Sequence, residues 1–322
     1  MLRSMYSGIS GLKNFQTKLD VIGNNIANVN THGFKKGRVI FKDIMSQTSA
    51  GASGPTATSG GTNPMQVGLG STLAAIDTVH GSGSRQTTNR GLDLAIDGEG
   101  FFMVADGTPP GTDGVIAETG DDAFSNILYT RAGNFYMDQN GYLVNAEGKY
   151  LVGVRADDYS VDANNDNGVK LADKPDVSGA DGENLMEDGK LKPNDGNVGT
   201  IRIPTTARSF NIGPDGTISY TDFNGDLKFA GQIIMSKFPN AGGLEKVGSN
   251  YFQPTPNSGE PYAQVAKVAG MGTITPGALE MSNVDLSEEF TEMIVAQRGF
   301  QANTRIITTS DEILQELVNL KR

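Results

Sequence analysis

The sequence predicts a mainly β protein with long terminal α-helices, its domains nested rather than laid end to end. Three observations carry that prediction. At both ends of the chain, apolar residues recur in steps of three and four. Between them, apolar and polar residues alternate, separated by Gly- and Asn-rich turns. The 42 glycines among 322 residues suit a turn-rich β body.

The first element is a helix within residues 1–30. Leu2, Met5, Ile9, Leu12, Gln16, Leu19, Gly23 and Ile26 form a heptad seam, with Tyr6, Phe15, Ile22 and Val29 as a flanking stripe. Its last turns carry Asn24, Asn25, Asn28 and Asn30. Asparagine is a poor residue inside a helix, because its amide competes for nearby backbone groups. Ile22, Ile26 and Val29 share one stripe, Asn24 and Asn28 stack on the opposite face, and Asn25 lies between. Thr31-His32-Gly33 ends the helix, with glycine as the permissive C-terminal cap. Residues 31–70, including GASGPTATSGGTNPMQVGLG, read as an extended connector rather than a packed element.

Residues 71–154 together with 201–284 make the β-rich domain. LDLAIDGEGFFMVA (92–105) gives two strands joined by a tight link at Asp97-Gly98-Glu99-Gly100. NILYTRAGNFYMDQNGYLVNAEGKYLVGV (126–154) gives three more, turning at Asn140-Gly141 and Glu147-Gly148. RSFNIGPDGTISYT (208–221) is a hairpin about Asp215-Gly216, and GQIIMSKFP (231–239) is a further strand. Residues 155–200 break the pattern. From 156 to 200 there are eleven acidic residues and four lysines, so that stretch is a small acidic insertion or outer domain.

Residues 285–322 return to the helical pattern. Leu286, Phe290, Met293, Gln297, Phe300, Thr304, Ile307, Asp311, Leu314 and Val318 form a second heptad seam, widened by Ile313, Leu317 and Leu320. Asn283 or Asp285 caps the helix, with Glu288 and Glu289 in its first turn. Helices of this length would reach roughly 45 and 54 Å and are expected to pair as a coiled coil. The seams contain Gln16, Gly23, Gln297, Thr304 and Asp311, which is weak for a self-sufficient pair. The side stripes therefore point to further neighbours.

The composition excludes several chemistries. With no cysteine there are no disulfides, thiolate nucleophiles or cysteine metal sites. A formal net charge of −11 argues against a nucleic-acid partner, and no apolar run approaches a membrane span. The amino-terminal stretch lacks the continuous apolar core and small-residue cleavage site of a conventional secretory signal. His32 and His80 have no readable partner for a triad or metal site. DANNDNGVKLAD (162–173) superficially matches a calcium loop but has Asn167 where the turn glycine belongs. Asp93, Asp97 and Glu99 are close enough in sequence to suggest a carboxylate pair, yet acidic turns are expected in so acidic a chain. No enzyme, cofactor or metal site is expected.

Four motifs, in order, carry a resemblance. MLRSMYSGISGLKNFQTKLDVIGNNIANVNTHGFKK, LDLAIDGEGFFMV, YTRAGNFYMDQNGYLV and ALEMSNVDLSEEFTEMIVAQRGFQANTRIITTSDEILQELVNLKR resemble the signatures of the flagellar basal-body rod and hook axial proteins. Within that family, Asn283-Val284-Asp285-Leu286 before Ser-Glu-Glu, the terminal Leu-Val-Asn-Leu and the acidic insertion resemble a hook subunit more than a distal-rod subunit.

The resemblance implies a flexible helical homopolymer, a universal joint exported through the flagellar type III apparatus to the extracellular hook. Its implied partners are further copies of itself, the distal-rod protein, the hook cap and the hook–filament junction proteins. The terminal helices would form the tube core, ordering as they assemble, and the β domain and connector would slide. The assembly interface expected on this basis comprises Leu2, Met5, Ile9, Leu12, Leu19, Ile22, Asn24, Asn25, Ile26, Asn28, Val29, Leu286, Phe290, Met293, Gln297, Phe300, Ile307, Leu314 and Val318. The asparagine amides are expected to bond to adjacent subunits or line a wet channel.

Overall fold

In the computed structural model, described residues are 2–56, 58, 60–107, 124–155, 169–170, 185–187, 190–191 and 198–320. The chain divides into two compact units. One comprises 1–29, 35–79 and 284–322; the other comprises 30–34 and 80–283.

In the first unit, α1 (Leu2–Ala27) runs antiparallel to α2 (Leu286–Leu320). Asp285 Oδ1 caps α2, accepting from the backbone N–H of Ser287 (2.8 Å) and of Glu288 (3.4 Å). Gly8 faces Ile307, Gly11 faces Asn303 and Gly299 faces Phe15. A Cβ at Gly299 would stand 2.5 Å from the Phe15 ring, so only glycine permits this approach. The pairing face therefore sets small residues of one helix against larger side chains of the other, with Ala296, Ser310 and Glu289 buried on α2.

This rotates the expected seam on both helices. Met5, Leu12, Leu19 and Ile26 are half-buried, whereas Ile9, Gln16 and Gly23 are exposed. On α2, Met293, Phe300, Ile307 and Leu314 are half-buried, whereas Leu286, Phe290, Gln297, Thr304, Asp311 and Val318 are exposed. The physical reason is that small residues let two helix backbones approach closely, which large apolar residues at those positions would prevent.

The expected connector is instead a long antiparallel ribbon. Strand β1 (Gly37–Asp43) pairs with β4 (Ser71–Thr78), and β2 (Ser46–Ala50) pairs with β3 (Met65–Gly68). A bridge at Ser53–Thr62 extends the ladder. Polar cross-strand pairs support it, such as the Ser53 and Thr62 hydroxyls at 3.0 Å. The inner end is tied to α1: Asn14 Nδ2 donates to Ser71 Oγ at 2.8 Å, and the Phe15 and Phe41 rings lie 6.4 Å apart.

The second unit is a β body. After β5 (Arg85–Thr87) and β6 (Leu94–Asp97), strands β7 (Phe101–Gly107) and β8 (Phe124–Thr130) enter a large antiparallel sheet. Its centre is the long strand Leu227–Lys237, which pairs with Thr217–Thr221, Tyr150–Arg155 and Tyr262–Val265. Side chains alternate along β7. Phe102 and Val104 enter one core with Ile218, Ile233 and Leu151, while Phe101, Met103 and Ala105 enter a second with Tyr129, Ile234 and Phe238. Burial on both faces explains its unbroken apolar run.

The turns at Asn140-Gly141, Glu147-Gly148 and Asp215-Gly216 each join paired strands, as expected. The segment 92–105 does hold two strands, but they do not form a hairpin: β6 pairs with Thr273–Pro276. Most of 155–200, including most of the calcium-like segment 162–173, lies outside the described residues. Leu185 and Met186 from that stretch are buried in the second core.

Candidate assembly interface

The chain passes between the two units after Val29, Phe34, Val79 and Asn283. Each unit gathers these passages with side chains drawn from distant parts of the sequence.

In the first unit the gathering residue is Asn25. Its amide is 2% exposed; it accepts from Gly37 N–H at 2.9 Å and donates to Gly37 O at 2.9 Å and Glu289 Oε2 at 3.1 Å. Lys36 adds an ion pair with Glu288 at 2.8 Å, and Val79 N–H donates to Lys36 O at 2.9 Å. Asn25 is thus satisfied inside its own chain, which corrects the expectation that its amide waits for an adjacent subunit. Asn28 Nδ2 bonds back to Asn24 O at 2.9 Å, a local alternative that accompanies the end of α1 at Ala27. Of these amides, that of Asn24 is exposed.

In the second unit the gathering residue is Glu280. Its Oε2 accepts from Arg131 at 3.2 Å, its Oε1 from Gly83 N–H at 3.0 Å, and its carbonyl from Gly33 N–H at 2.8 Å. Arg131 also donates to Gly98 O at 2.8 Å. Both members of the pair are buried. Burial pushes the Arg131 guanidinium below its usual range, and Glu280 beside it pushes the other way. Gly33 sits at φ +70°, where a Cβ would be 2.6 Å from Ala132 N. Its glycine therefore serves this close approach, not a cap on α1, which ended six residues earlier. None of Arg131, Glu280 or this role of Gly33 was expected from sequence, because no local periodicity marks a contact across so many residues.

The acidic candidates do not form a carboxylate pair. Asp93 is paired with Arg90 at 3.2 Å, Asp97 with Arg85 at 2.9 Å and Glu99 with Lys237 at 2.5 Å. The Lys237 ammonium holds the Glu99 carboxyl below the ordinary range. No cluster of three or more His, Asp or Glu residues suited to a metal occurs among the described residues. No helix among them is long and apolar enough to cross a membrane.

The outer faces of the helix pair are the unusual surface. Tyr6 is 69% exposed, Phe290 50%, Ile294 59% and Leu320 82%, with Ile9, Val295, Ile313, Leu317 and Val318 also exposed. On the expected interface, Leu286, Ile9, Phe290, Gln297 and Val318 face outward, whereas Ile22 is buried and Val29 half-buried within the chain. The side chain of Leu2 lies outside the described residues. So large a set of outward apolar residues is unusual for a surface that faces water alone.

Comparison with known proteins agrees with that geometry. The family model for flagella basal body rod protein matches residues 5–35, that for flagellar hook protein FlgE/F/G D1 domain 95–220, and that for flagellar basal body rod FlgEFG protein C-terminal 275–320. The flagellar basal-body rod protein FlgG of Bacillus subtilis (strain 168) is 50% identical over 323 residues, covering 100% of both chains. The flagellar hook protein FlgE of Borreliella burgdorferi is 33% identical over 458 residues, and FlgG of the same organism is 34% identical over 327, each covering 100% of both chains. The protein is therefore a structural component of the bacterial flagellum, not an enzyme. More particularly, it belongs to the family of hook and rod axial proteins, whose members polymerise into the flagellar structure.

Proposed function

We propose that the chain is a hook-type subunit, polymerising into a flexible tube that joins the rod to the filament. The single observation that carries this reading over its neighbour is the comparison within one organism. Against the Borreliella burgdorferi pair, 33% over an alignment of 458 positions, gaps included, contains more identical positions than 34% over 327, which favours the hook protein. Comparing two proteins of one organism removes the divergence between species from the comparison. The motif Asn283-Val284-Asp285-Leu286 and the terminal Leu-Val-Asn-Leu support the same side.

In this reading the outer faces of α1 and α2 pack against further copies and keep the tube continuous. Ordering the helices costs conformational entropy, which burial of these faces against neighbours offsets. The outward residues Met45, Met65 and Val67 of the ribbon, with the β body, are where subunits slide as the tube bends. Export by the flagellar type III apparatus and contact with the distal-rod, hook-cap and hook–filament junction proteins belong to the same proposal.

A second reading, a distal-rod subunit, is favoured by the 50% identity to the Bacillus subtilis rod protein. Electron microscopy of the concentrated full-length protein separates the two. Curved, supercoiling tubes are expected of a hook subunit. Straight, rigid tubes would transfer the chain to the rod, and a persistent monomer would remove both readings.

A further inference from the structure

Two outward stripes of the first unit match each other in chemistry and, in the register of the antiparallel pair, lie largely past one another within one chain. On α1, Arg3, Tyr6, Ile9 and Lys13 are exposed and recur in steps of three, three and four, which places them along one side of the helix. This stripe is apolar at its centre and basic at its ends. On α2, Ile313, Leu317 and Leu320 are exposed along one side, with Glu312 and Glu316 beside them. That stripe is apolar and acidic. None of Arg3, Lys13, Glu312 or Glu316 forms an ion pair among the described residues.

The lengths of the helices explain why the second stripe stays open. α1 has 26 residues and α2 has 35. With Gly8 opposite Ile307 in an antiparallel pair, the first residue of α1 stands opposite Ile313. The turns of α2 beyond that point have no α1 beside them in their own chain. Leu317 and Leu320 are left in water.

We infer that the partner of this overhang is the basic stripe of α1 in a neighbouring copy. The 313–320 stripe of one copy seats against Arg3–Lys13 of the next, apolar centre to apolar centre, with Glu312 and Glu316 facing Arg3 and Lys13. The two surfaces differ, so the contact is heterologous and leaves one stripe of each kind free at the ends. Such a contact propagates instead of closing a dimer. The inference rests on the polymeric-subunit reading but not on the choice between hook and rod.

Charge reversal tests it with two variants of the full chain. One carries Arg3→Glu and Lys13→Glu, the other Glu312→Lys and Glu316→Lys. Light scattering and electron microscopy should show the critical concentration for tubes rising on the order of tenfold for each variant alone. An equimolar mixture should recover tubes, because each variant then supplies the sign the other lacks. The inference is overturned if either variant alone assembles at the wild-type concentration. It is equally overturned if the mixture stays monomeric although each variant retains the wild-type circular dichroism. Failure of the wild-type chain itself to assemble would instead sink the subunit reading on which the inference stands.

Discussion

The β body and the helix pair solve the problem of burial in opposite ways. The β body covers both faces of its central strands, encloses two apolar cores and pairs its buried Arg131 with Glu280. The helix pair sets Gly8, Gly11 and Gly299 on its inner face against Ile307, Asn303 and Phe15, and turns Phe290, Ile294 and Leu317 outward. One region is complete as a single chain. The other is close-packed inside yet leaves Phe290, Ile294 and Leu317 exposed. The proposed tube subunit needs this division, since a part that joins copies must keep its hydrophobic surface free until assembly.

The comparison can be broken most severely in the β body. Glu280→Ala leaves the Arg131 guanidinium buried without its carboxylate and should destabilise the body by about 3–5 kcal/mol. Urea unfolding followed by a β-sheet signal would measure it, and a loss below about 1 kcal/mol would mean that the body does not depend on this pair. In the helix pair, Asn25→Ala removes a buried amide that serves Gly37 and Glu289, at about 1–3 kcal/mol. The thermal stability of assembled tubes should fall while the β-body transition stays in place. A smaller effect sharpens the contrast: Phe290→Ser should change the stability of the free chain by no more than about 0.5 kcal/mol, as at an exposed site. The same variant should assemble poorly in a sedimentation assay.

The smallest expected effect is acid sensitivity at Asp106. Lys149 donates to its carboxylate at 2.6 Å and holds it below the ordinary value. A depressed carboxylate contributes stability above its unfolded value of 3.8 and loses it as pH falls through the lower folded value. The contribution is small because the Asp106 side chain is 44% exposed and screened by solvent. Asp106→Asn should flatten the fall in stability below pH about 4, and an unchanged acid profile would show that the pair contributes nothing.

The two helices were legible because a heptad repeat needs only local spacing. Their pairing face was not. Periodicity reading assumes that the largest apolar residues face inward, and here Gly8, Gly11, Ala296 and Gly299 give no hydrophobic signal yet share the contact with Phe15 and Ile307. The ribbon's strands β2 and β3, inside the expected connector 31–70, were missed for a related reason. Their Ser, Thr and Gln ladder is held by backbone and hydroxyl bonds, so they lack the apolar runs by which β7 and Leu227–Lys237 were recognised. Asn25 stood out in sequence as an anomaly, but its partners lie 12 and 264 residues away. Only the fold could show that its amide is occupied within the chain.

Hydrogen exchange on the full-length protein, before and after assembly, tests the division between the two regions most directly. The account predicts strong amide protection in β7 and Leu227–Lys237 of the free chain, weak protection along α1 and α2, and a large gain in the helices alone on forming tubes. Helices as protected in the free chain as the β body, with no gain on assembly, would contradict it.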